Sequence, residues 1–331
     1  MTCVDIIVVN WNGQRYLGPC LDALARQTYR TFRVWLVDNG SSDGSVDFVR
    51  AQYPDVRLIC NGENRGFAAA NNQAIRQGDA EYVATLNNDT TAEPSWLDAL
   101  VHTLDEHPEA GMAASKMLFA ARPEVINSAG IAVDRAGIAW DLHGGELDDP
   151  RDVEPSPVFG ACAGAALYRR SMLDEVGLFD EDFFAYLEDV DLAWRAHWAG
   201  WKALTVPAAR VMHHHSATGG EGSPFKNRLL GRNKVWLIAK NYPTPHLWLY
   251  LPFIVGYDVA AVLYALLTRR EWSAFTGRVE ALRGLGRCWA KRRTGVHRNT
   301  PREVMRVLQI IEPPWQVLGR YRHLLGTKGQ G

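Results

Sequence analysis

The segment "YVATLNNDT" (Tyr82 to Thr90) decides the predicted fold, because an apolar strand ends in it on two amides and a carboxylate. Tyr82 to Leu86 is an apolar run, and Asn87, Asn88 and Asp89 follow at once. A short run without polar alternation is typical of a parallel sheet that helices cover on both faces. Ligands of such sheets bind at the carboxyl ends of the strands. The acid at this strand end is therefore a candidate ligand-binding side chain.

The same pattern of apolar strands and amphipathic helices extends over the first 110 residues. We predict strands at 4–10, 32–37, 56–60 and 82–86, with helices at 16–27, 45–52 and 68–78 between them. The first three strands also end in polar clusters: Asn10-Trp11-Asn12, Asp38-Asn39-Gly40 and Asn61 to Gly66. We therefore expect an α/β fold with a Rossmann-like, mainly parallel sheet, helices on both faces, and a binding site along one edge.

Composition and charge separate two regions of the 331-residue chain. Overall, 47% of the residues are hydrophobic and 22% charged, as in ordinary globular proteins, and the net charge is -1. From Thr268 to Gly331, however, there are 14 Lys and Arg against 4 Asp and Glu. Such a basic segment can attract nucleic acid or an anionic membrane surface. Five scattered cysteines without a CxxC spacing indicate a reducing compartment and no zinc site, so we expect a cytoplasmic protein.

An apolar segment precedes the basic one. Leu247 to Leu267 contains a single charged residue, Asp258, and is long enough to cross a bilayer. Pro252 and Gly256 interrupt it, so a helix lying in the membrane plane, a homodimer interface or a buried helix are alternatives. We expect two units, residues 1–235 and a helical, apolar then basic region 236–331, with peripheral membrane contact and no nucleic-acid partner.

Two phosphate-binding motifs are missing from the sequence. The first strand is followed by "NWNGQRYLG" instead of GxGxxG, and no GxxxxGK[ST] occurs. Dinucleotide-binding and P-loop proteins are therefore disfavoured. Asp38, in "VWLVDNGSSDGS", can accept hydrogen bonds from a nucleobase or ribose, although Asp, Asn and Ser also favour such turns for purely local reasons.

Asp89 is a candidate metal ligand, because a hard divalent cation is often held by few carboxylates while phosphate oxygens complete its coordination. The segment "VMHHHS" offers a second ligand in His213, His214 or His215, after a strand that ends near Met212. Local turn formation around Asp89 and ordinary surface polarity of the histidines are the alternative explanations.

The segment "AYLEDVDLAWRAHWAGW" contains a candidate acid–base residue. Glu188 and Asp189 are adjacent at the expected start of a helix, and Asp191 and Arg195 have the i,i+4 spacing of an ion pair. Acids at a helix N-terminus are favoured by the helix dipole alone. One of the two could instead be a general base, or the pair could flank a glycosidic bond for hydrolysis.

Taken in order, these motifs resemble a known family. "IIVVNWNG", "VDNGSSDGS", "NRGFAAANNQAI", "LNNDT", the segment around Glu188-Asp189 and "VMHHHSATGG" are similar to the inverting family 2 glycosyltransferases with a GT-A fold. The resemblance covers about residues 4 to 235. It is strongest to the rhamnosyltransferase- and galactofuranosyltransferase-like enzymes of cell-surface polysaccharide assembly.

The resemblance implies roles for individual residues. Asp189, beside Glu188, would be the catalytic base, and Asp89 would hold Mg²⁺ or Mn²⁺ together with His213, which opens an HxxS pattern with Ser216. Asn87 stands where the family's DXD motif has its first acid. The nucleotide-sugar would be contacted by Asn10, Asn12, Asp38, Asn64, Arg65, Gly66, Asn88, Asp89 and Arg232.

The implied reaction moves a rhamnose-like or other hexose from a dTDP- or UDP-sugar to a hydroxyl of a glycan or lipid-linked saccharide, at the inner face of the cell membrane. A polyprenyl-phosphate sugar synthase is one alternative. A sugar-phosphate nucleotidyltransferase is another, although it would need a Gly-rich basic loop where "NWNGQRYLG" stands. A membrane-tethered scaffold without activity is the non-enzymatic alternative.

Overall fold

The strand predicted from Tyr82 belongs to a ten-stranded sheet in the structure, a computed structural model that describes residues 2–214, 223–313 and 315–316. The strands are β1 (Val4–Asn10), β2 (Phe32–Asp38), β3 (Arg57–Cys60), β4 (Tyr82–Asn87), β5 (Thr90–Ala92), β6 (Ala110–Phe119), β7 (Arg122–Ser128), β8 (Ile131–Val133), β9 (Ala139–Asp141), β10 (Ser156–Val158), β11 (Ala165–Arg169) and β12 (Lys202–His213). The helices are α1 (Gln14–Ala25), α2 (Ser45–Gln52), α3 (Phe67–Gln77), α4 (Trp96–Glu106), α5 (Arg170–Val176), α6 (Glu188–Ala199), α7 (Pro224–Asn241), α8 (Thr244–Arg269), α9 (Ser273–Leu282), α10 (Leu285–Thr294) and α11 (Pro301–Arg306).

The predicted parallel sheet is confirmed for the first four long strands. Their order is β4-β1-β2-β3, all parallel, and the register aligns Asn10 with Asp38 and Val9 with Asn87. Beyond β4 the sheet continues through β11, which is antiparallel to both of its neighbours, to β6 and β12. The polar ends of β1, β2 and β4 therefore lie side by side, as the sequence predicts.

Helices cover both faces of the sheet, and successive side chains of β1 point to opposite faces. Ile6 and Val8 pack with residues of α1 and α4, whereas Ile7 packs with residues of α3, α5 and α6. These side chains are completely buried. β1 lacks polar alternation because a separate hydrophobic core lies on each face of the sheet.

The region 120–158 contains four short strands, β7 to β10. β8 and β9 form a hairpin, β7 pairs with β6 of the large sheet, and β10 pairs with β12 at its edge. Lys116, almost fully buried in β6, fixes the polar stretch that follows through ion pairs with Asp148 (2.9 Å) and Asp152 (3.1 Å). This polar stretch is therefore attached to the sheet by a buried cation.

The expected boundary between residues 235 and 236 falls inside α7, so this helix belongs to both predicted units. Gly277 of α9 packs so closely on α7 that an added Cβ would lie 2.0 Å from the carbonyl oxygen of Arg228. Helix α8, by length and composition, is the single candidate membrane span among the described residues. The division into two units stays a prediction, but α9 and α10 pack directly on α7.

Candidate functional site

A cavity of about 840 Å³ opens at the carboxyl ends of β1, β2 and β4. Its walls are completed by the loops before α3 and α6, by the β9 hairpin and by the first turns of α7. Of the predicted site residues, those that line it are Asn64, Gly66, Asn88, Asp89, Glu188, Asp189 and His213. Side chains predicted from segments more than one hundred residues apart are thus brought together in one cleft.

A chain of hydrogen bonds connects the three strand ends beneath this cavity. The Asn88 side chain donates to Asn10 Oδ1 (2.7 Å), and Asn10 donates to Asp38 Oδ1 (2.9 Å). The second Asp38 oxygen accepts from the backbone N–H of Ser41 (2.9 Å). Asn10 and Asp38 are almost fully buried and do not line the cavity, so they support its floor rather than form its surface.

Two further predicted nucleotide contacts also lie outside the lining. Asn12, in the left-handed region at φ 51°, accepts a hydrogen bond from the Ser42 backbone N–H (2.8 Å) and is exposed. Arg65 is exposed beside Asn64, which does line the cavity. Both residues therefore belong to loops at the rim, and their contact with a nucleotide stays a prediction.

Gly66 joins two walls of the cavity. It has φ +87°, and an added Cβ would lie 2.6 Å from the carbonyl oxygen of Phe184. The Ala68 N–H donates to the same carbonyl (3.2 Å). A side chain at this position would be strained by backbone geometry and would push the loop before α6 away from α3.

Asp89 and His213 meet at the cavity wall because β12 pairs with β5, which aligns His213 with Thr90. His213 Nε2 lies 3.2 Å from Asp89 Oδ1, and His213 Nδ1 lies 2.7 Å from Asn127 Oδ1. Burial acts to raise the pKa of Asp89, but its hydrogen bond and charge interaction with His213 outweigh burial and leave the pKa below the ordinary value. The carboxylate is therefore ionised at neutral pH.

This pair fits a divalent cation that phosphate oxygens would help to bind. One carboxylate oxygen and one imidazole nitrogen converge at the surface of the cavity, and Asn127 fixes the orientation of the ring. Within residues 2–214, 223–313 and 315–316, no group of three or more His, Cys, Asp and Glu side chains could hold a metal ion. The donor set is thus too small for a metal site built from protein alone, but adequate for a metal shared with a diphosphate.

The neighbouring histidines differ in position. His214 packs its ring against Tyr16, with the ring centroids 5.4 Å apart, and its N–H donates to the Asp89 carbonyl (3.0 Å). His215 and Ser216, the other members of the predicted motif, lie outside the described residues. Among the described histidines of this motif, His213 is the one whose side chain contacts Asp89.

Asp189 lines the cavity at the first turn of α6. Its carboxylate accepts hydrogen bonds from the N–H of Ala163 (3.1 Å) and of Val190 (2.8 Å). Burial raises its pKa to about 6, despite these hydrogen bonds. A carboxylate with such a pKa is charged at neutral pH and basic enough to accept a proton.

Glu188 is more deeply buried than its neighbour. Its Oε2 has no hydrogen-bond partner within the part of the chain that the structure describes. Burial, together with the nearby charge of Asp189, raises the pKa of Glu188 well above the ordinary value. The two adjacent acids therefore differ in their contacts: the Asp189 carboxylate accepts two backbone N–H bonds, whereas Glu188 Oε2 accepts none from the described residues.

The loop that leads to this acid pair has an unusual backbone. Phe184, Tyr186 and Leu187 all have positive φ values, between 65° and 69°. Asn233 of α7 holds the loop by donating to the carbonyls of Phe183 (3.0 Å), Ala185 (2.9 Å) and Tyr186 (2.7 Å). The conformation that positions Glu188 and Asp189 is thus imposed by a side chain from another helix.

Arg232, predicted near a diphosphate, is directed elsewhere in the structure. Its guanidinium donates to Glu280 (3.1 Å) and to the carbonyls of Asp182 (3.2 Å) and Phe183 (3.0 Å). It is buried and does not line the cavity. Arg232 therefore supports the same loop as Asn233, and this geometry does not favour a phosphate contact.

Several lining residues were not predicted from the sequence. Asn127 orients His213 from a strand 86 positions away, and the N–H of Ala163 binds Asp189. Trp140 and Asp141 reach the cavity from the β8–β9 hairpin. No local signal distinguishes these residues, because long-range pairing alone brings them to the site.

Comparison with known proteins agrees with this geometry. Residues 5–177 match the family model described as Glycosyl transferase family 2. The chain is 33% identical over 240 residues to the N-acetylglucosaminyl-diphospho-decaprenol L-rhamnosyltransferase of Mycobacterium tuberculosis, covering 66% of this chain and 78% of that protein. It is 31% identical over 262 residues to the O-antigen biosynthesis protein RfbC of Myxococcus xanthus, covering 74% of this chain and 20% of that longer protein.

A solved structure agrees at the level of the fold. The mannosyltransferase PcManGT of Pyrobaculum calidifontis, in complex with GDP-Man and Mn²⁺, superposes with a TM-score of 0.52 at 20% identity, covering 88% of this chain and 84% of that one. The sheet and its flanking helices are therefore a GT-A fold. Fold, family match and relatives together show that the chain belongs to glycosyltransferase family 2, in its rhamnosyltransferase branch.

Proposed function

We propose that the protein is a metal-dependent inverting glycosyltransferase that moves a hexose, rhamnose or a similar sugar, from a dTDP- or UDP-sugar to a hydroxyl of a glycan or lipid-linked saccharide. One observation supports this most directly: the Asp89–His213 pair and the Asp189 carboxylate line the same cavity. A cation site and a base, both facing one cleft, are what a single displacement at an anomeric carbon requires.

In the proposed reaction, Asp189 takes the proton of the acceptor hydroxyl. The acceptor oxygen forms a bond to the anomeric carbon while the bond from that carbon to the phosphate oxygen breaks. Its electron pair leaves with the nucleotide diphosphate, and attack from the opposite side inverts the anomeric centre. The hydrogen bonds from the N–H groups of Ala163 and Val190 hold Asp189 in place for this step.

Asp89 and His213 would hold Mg²⁺ or Mn²⁺, with Asn127 fixing the imidazole. When bound, the ion would supply positive charge for the departing diphosphate. The Mn²⁺ in the PcManGT complex supports this assignment by analogy of fold. Asn88 and Asn64, also in the lining, are proposed to contact the nucleotide, with Asn10 and Asp38 supporting them from below.

The proposed acceptor is a saccharide on a lipid carrier at the inner face of the membrane. The M. tuberculosis relative is named for a decaprenol-linked acceptor, and the described C-terminal helices expose apolar side chains. Peripheral membrane contact is part of the proposal. A polyprenyl phosphate acceptor would need no hydroxyl deprotonation, so the dependence of transfer on Asp189 separates the two reactions.

The proposed donor class is tested by thermal shift of the full chain with UDP, dTDP or GDP, each with Mn²⁺ and with a chelator. We expect UDP or dTDP to raise Tm only when the metal is present. In Asp89→Asn, the metal-dependent increment should disappear, because the ion loses its carboxylate ligand.

The control variant is Asp98→Asn, which changes an exposed acid of α4 outside the cavity. This variant should keep the full metal-dependent rise in Tm that the nucleotide causes in the wild type. Equal nucleotide shifts with metal and with chelator in the wild type would contradict metal-dependent donor binding. Absence of sugar transfer from every nucleotide-sugar tried, despite nucleotide binding, would favour the scaffold alternative.

A further inference from the structure

The C-terminal helices present an apolar face to solvent. Most of the exposed large hydrophobic side chains among the described residues lie beyond residue 247. The apolar face is defined by Trp248, Phe253, Val259, Leu263 and Leu267 of α8 and by Phe275, Val279 and Leu282 of α9, of which Leu267 is 82% and Trp248 69% exposed. Exposed apolar surface of this extent marks an interaction site.

The opposite side of α8 is fixed to the protein. Leu247, Tyr250 and Ile254 pack against the core, at the spacing of one helix face. Asp258 follows on the same face and forms ion pairs with Arg278 of α9 (2.8 Å) and Lys234 of α7 (3.1 Å). Helix α8 is therefore attached to the protein from Leu247 to Asp258, with the opposite face of this part in solvent.

This attachment argues against a membrane-spanning helix. Asp258 is near the middle of α8, so a bilayer crossing would separate it from both cations and move it into hydrocarbon. A carboxylate at that depth is strongly unfavourable. A helix with one apolar face free can instead lie in the interface without breaking these ion pairs.

Charges beside the apolar face favour an anionic lipid surface over a second copy of the chain. Arg269, Arg270, Arg283 and Arg293 are exposed at the ends of α8, α9 and α10. In a two-fold symmetric dimer, the same patch meets itself, so these cations would approach like charges. Anionic lipid head groups would be attracted to them instead.

The apolar face is also close to the cavity. Phe225, Lys226 and Leu230 of α7 line the cavity, whereas Gly231 on the other side of this helix packs against Ala274 of α9. One helix thus separates the cavity from α9. Neighbouring helices pack with their axes about 8–10 Å apart, so a membrane touching α9 would lie near the cavity.

We propose that the apolar face of α8 and α9 rests on an anionic bilayer, with α8 in the membrane plane and Asp258 still paired inside the protein. This inference deepens the proposed membrane contact by assigning its surface and its geometry. It does not depend on the sugar that is transferred, because binding to lipid is measured without donor or acceptor.

The test is flotation of the full chain with phosphatidylcholine vesicles that contain or lack phosphatidylglycerol. We expect binding to the anionic vesicles, and at least about tenfold weaker partitioning for Phe253→Ser/Leu263→Ser, because two apolar side chains that would be buried in the bilayer are lost. The matched control is Leu147→Ser/Val153→Ser, which removes exposed apolar side chains elsewhere. It should bind as the wild type does, and equal weakening of both variants would overturn the assignment.

The proposed attraction between the exposed arginines and anionic lipid head groups is tested with Arg269→Gln/Arg270→Gln. This variant should bind anionic vesicles several-fold more weakly. Arg122→Gln, an exposed cation of β7, should have no effect. All variants should keep the nucleotide-dependent thermal shift of the wild type. A failure of docking is thereby distinguished from a failure of the proposed transferase function.

Two further measurements separate the alternatives for α8. Alkaline carbonate should release the wild-type protein from vesicles, and retention would indicate a spanning helix and overturn the proposal. Sedimentation velocity without lipid should give the same mass for the wild type and Phe253→Ser/Leu263→Ser. A wild-type dimer that this variant converts to a monomer, with vesicle binding unchanged, would instead identify a second copy as the occupant.

Discussion

At the scale of single residues, Asp189 connects the stability of the protein with its proposed chemistry. Burial raises its pKa to about 6, against an ordinary value of 3.8. The charged form is therefore less favourable in the folded protein than in the unfolded chain. This carboxyl group stabilises the fold most below pH 3.8, and its contribution is lost as the pH rises through 6.

Asp189→Asn should consequently be inactive but more stable at neutral pH. The gain is at most about 3 kcal/mol, less what the amide loses in its hydrogen bonds to the N–H groups of Ala163 and Val190. Urea unfolding at pH 8 and at pH 3.5 measures it, and the difference from the wild type should nearly vanish at the lower pH. A variant that retains full sugar transfer would exclude Asp189 as the base.

The pH dependence of transfer gives a second prediction for the same residue. With saturating donor and acceptor, kcat should be constant above pH 7 and fall about tenfold per pH unit below 6, because the base becomes protonated. Burial and the charge of Asp189 raise the pKa of the neighbouring Glu188 well above its ordinary value. The initial rate of nucleotide release measures the profile, and a rate that is flat down to pH 5 would contradict it.

The sequence predicts the candidate site residues better than the residues that support them. Asp89, His213 and Asp189 follow from strand ends, motif order and resemblance, and the structure brings all three to one cavity. Asn127 and Ala163 could not be predicted, because their contacts depend on strand pairing over long sequence distances. From the sequence, Arg232 was predicted to contact a phosphate because it is basic. Its hydrogen bonds to buried carbonyl groups depend on tertiary packing, which the sequence pattern does not reveal.

At the scale of secondary-structure elements, the loop between Phe183 and Leu187 is the least regular part of the site. Its three positive φ values at residues other than glycine are costly, of the order of 1 kcal/mol or more each. Asn233 offsets this cost through hydrogen bonds to three loop carbonyls. Asn233 is therefore a positioning residue for the acid pair.

Asn233→Ala should lower kcat at least about tenfold, because the released loop no longer fixes Asp189. The three carbonyls also lose a buried donor, so we expect a stability loss of about 2–4 kcal/mol. Steady-state kinetics and urea unfolding measure the two effects. A structural role alone would leave kcat unchanged at temperatures where the variant is fully folded.

The matched control for this prediction is Asn227→Ala, on the same helix. The Asn227 side chain donates to Glu271 (2.7 Å), away from the loop. Its substitution should leave kcat within about twofold of the wild type. Equal losses of kcat in both variants would indicate a general effect on α7 and refute the specific role of Asn233.

Element types were predictable from periodicity, but their ends and partners were not. Helix α1 begins at Gln14, two residues before the expected start, because the Gln14 N–H binds the Asp43 carboxylate (2.9 Å). The antiparallel insertion of strand β11 between β4 and β6 has no local signal in the sequence. Which strands pair with each other depends on the fold of the whole chain, whereas hydrophobic periodicity indicates only which residues are buried and which are exposed.

At the scale of the whole molecule, the basic C-terminal helices are part of the support of the site. Lys291 of α10 pairs with Asp180 and Asp182, and Lys240 of α7 pairs with Asp180 (2.7 Å) and Asp191 (2.8 Å). These acids flank the loop that leads to Asp189. The high positive charge of this region therefore serves internal ion pairs as well as the proposed contact with lipid.

Lys291→Met should test this coupling between the C-terminal helices and the site. Burial acts to raise the pKa of Asp180, but Lys240 and Lys291 outweigh it and lower the pKa to about 2. The stability that this carboxylate contributes is present above pH 3.8 and lost as the pH falls through 2. The variant should thus be about 1–2 kcal/mol less stable than the wild type at pH 7, with a difference that shrinks toward pH 2.

The loss should extend to catalysis, because Asp180 and Asp182 precede the loop that positions Asp189. We expect kcat of Lys291→Met to fall several-fold while the nucleotide-dependent thermal shift is retained. Arg298→Gln is the control, since Arg298 pairs with Glu175 of α5 (2.7 Å), outside the cavity. If both variants lose stability but neither loses kcat, the C-terminal helices support the fold without acting on the site. A deletion of the whole region could not make this distinction, because it would also expose the side of α7 that packs on α9.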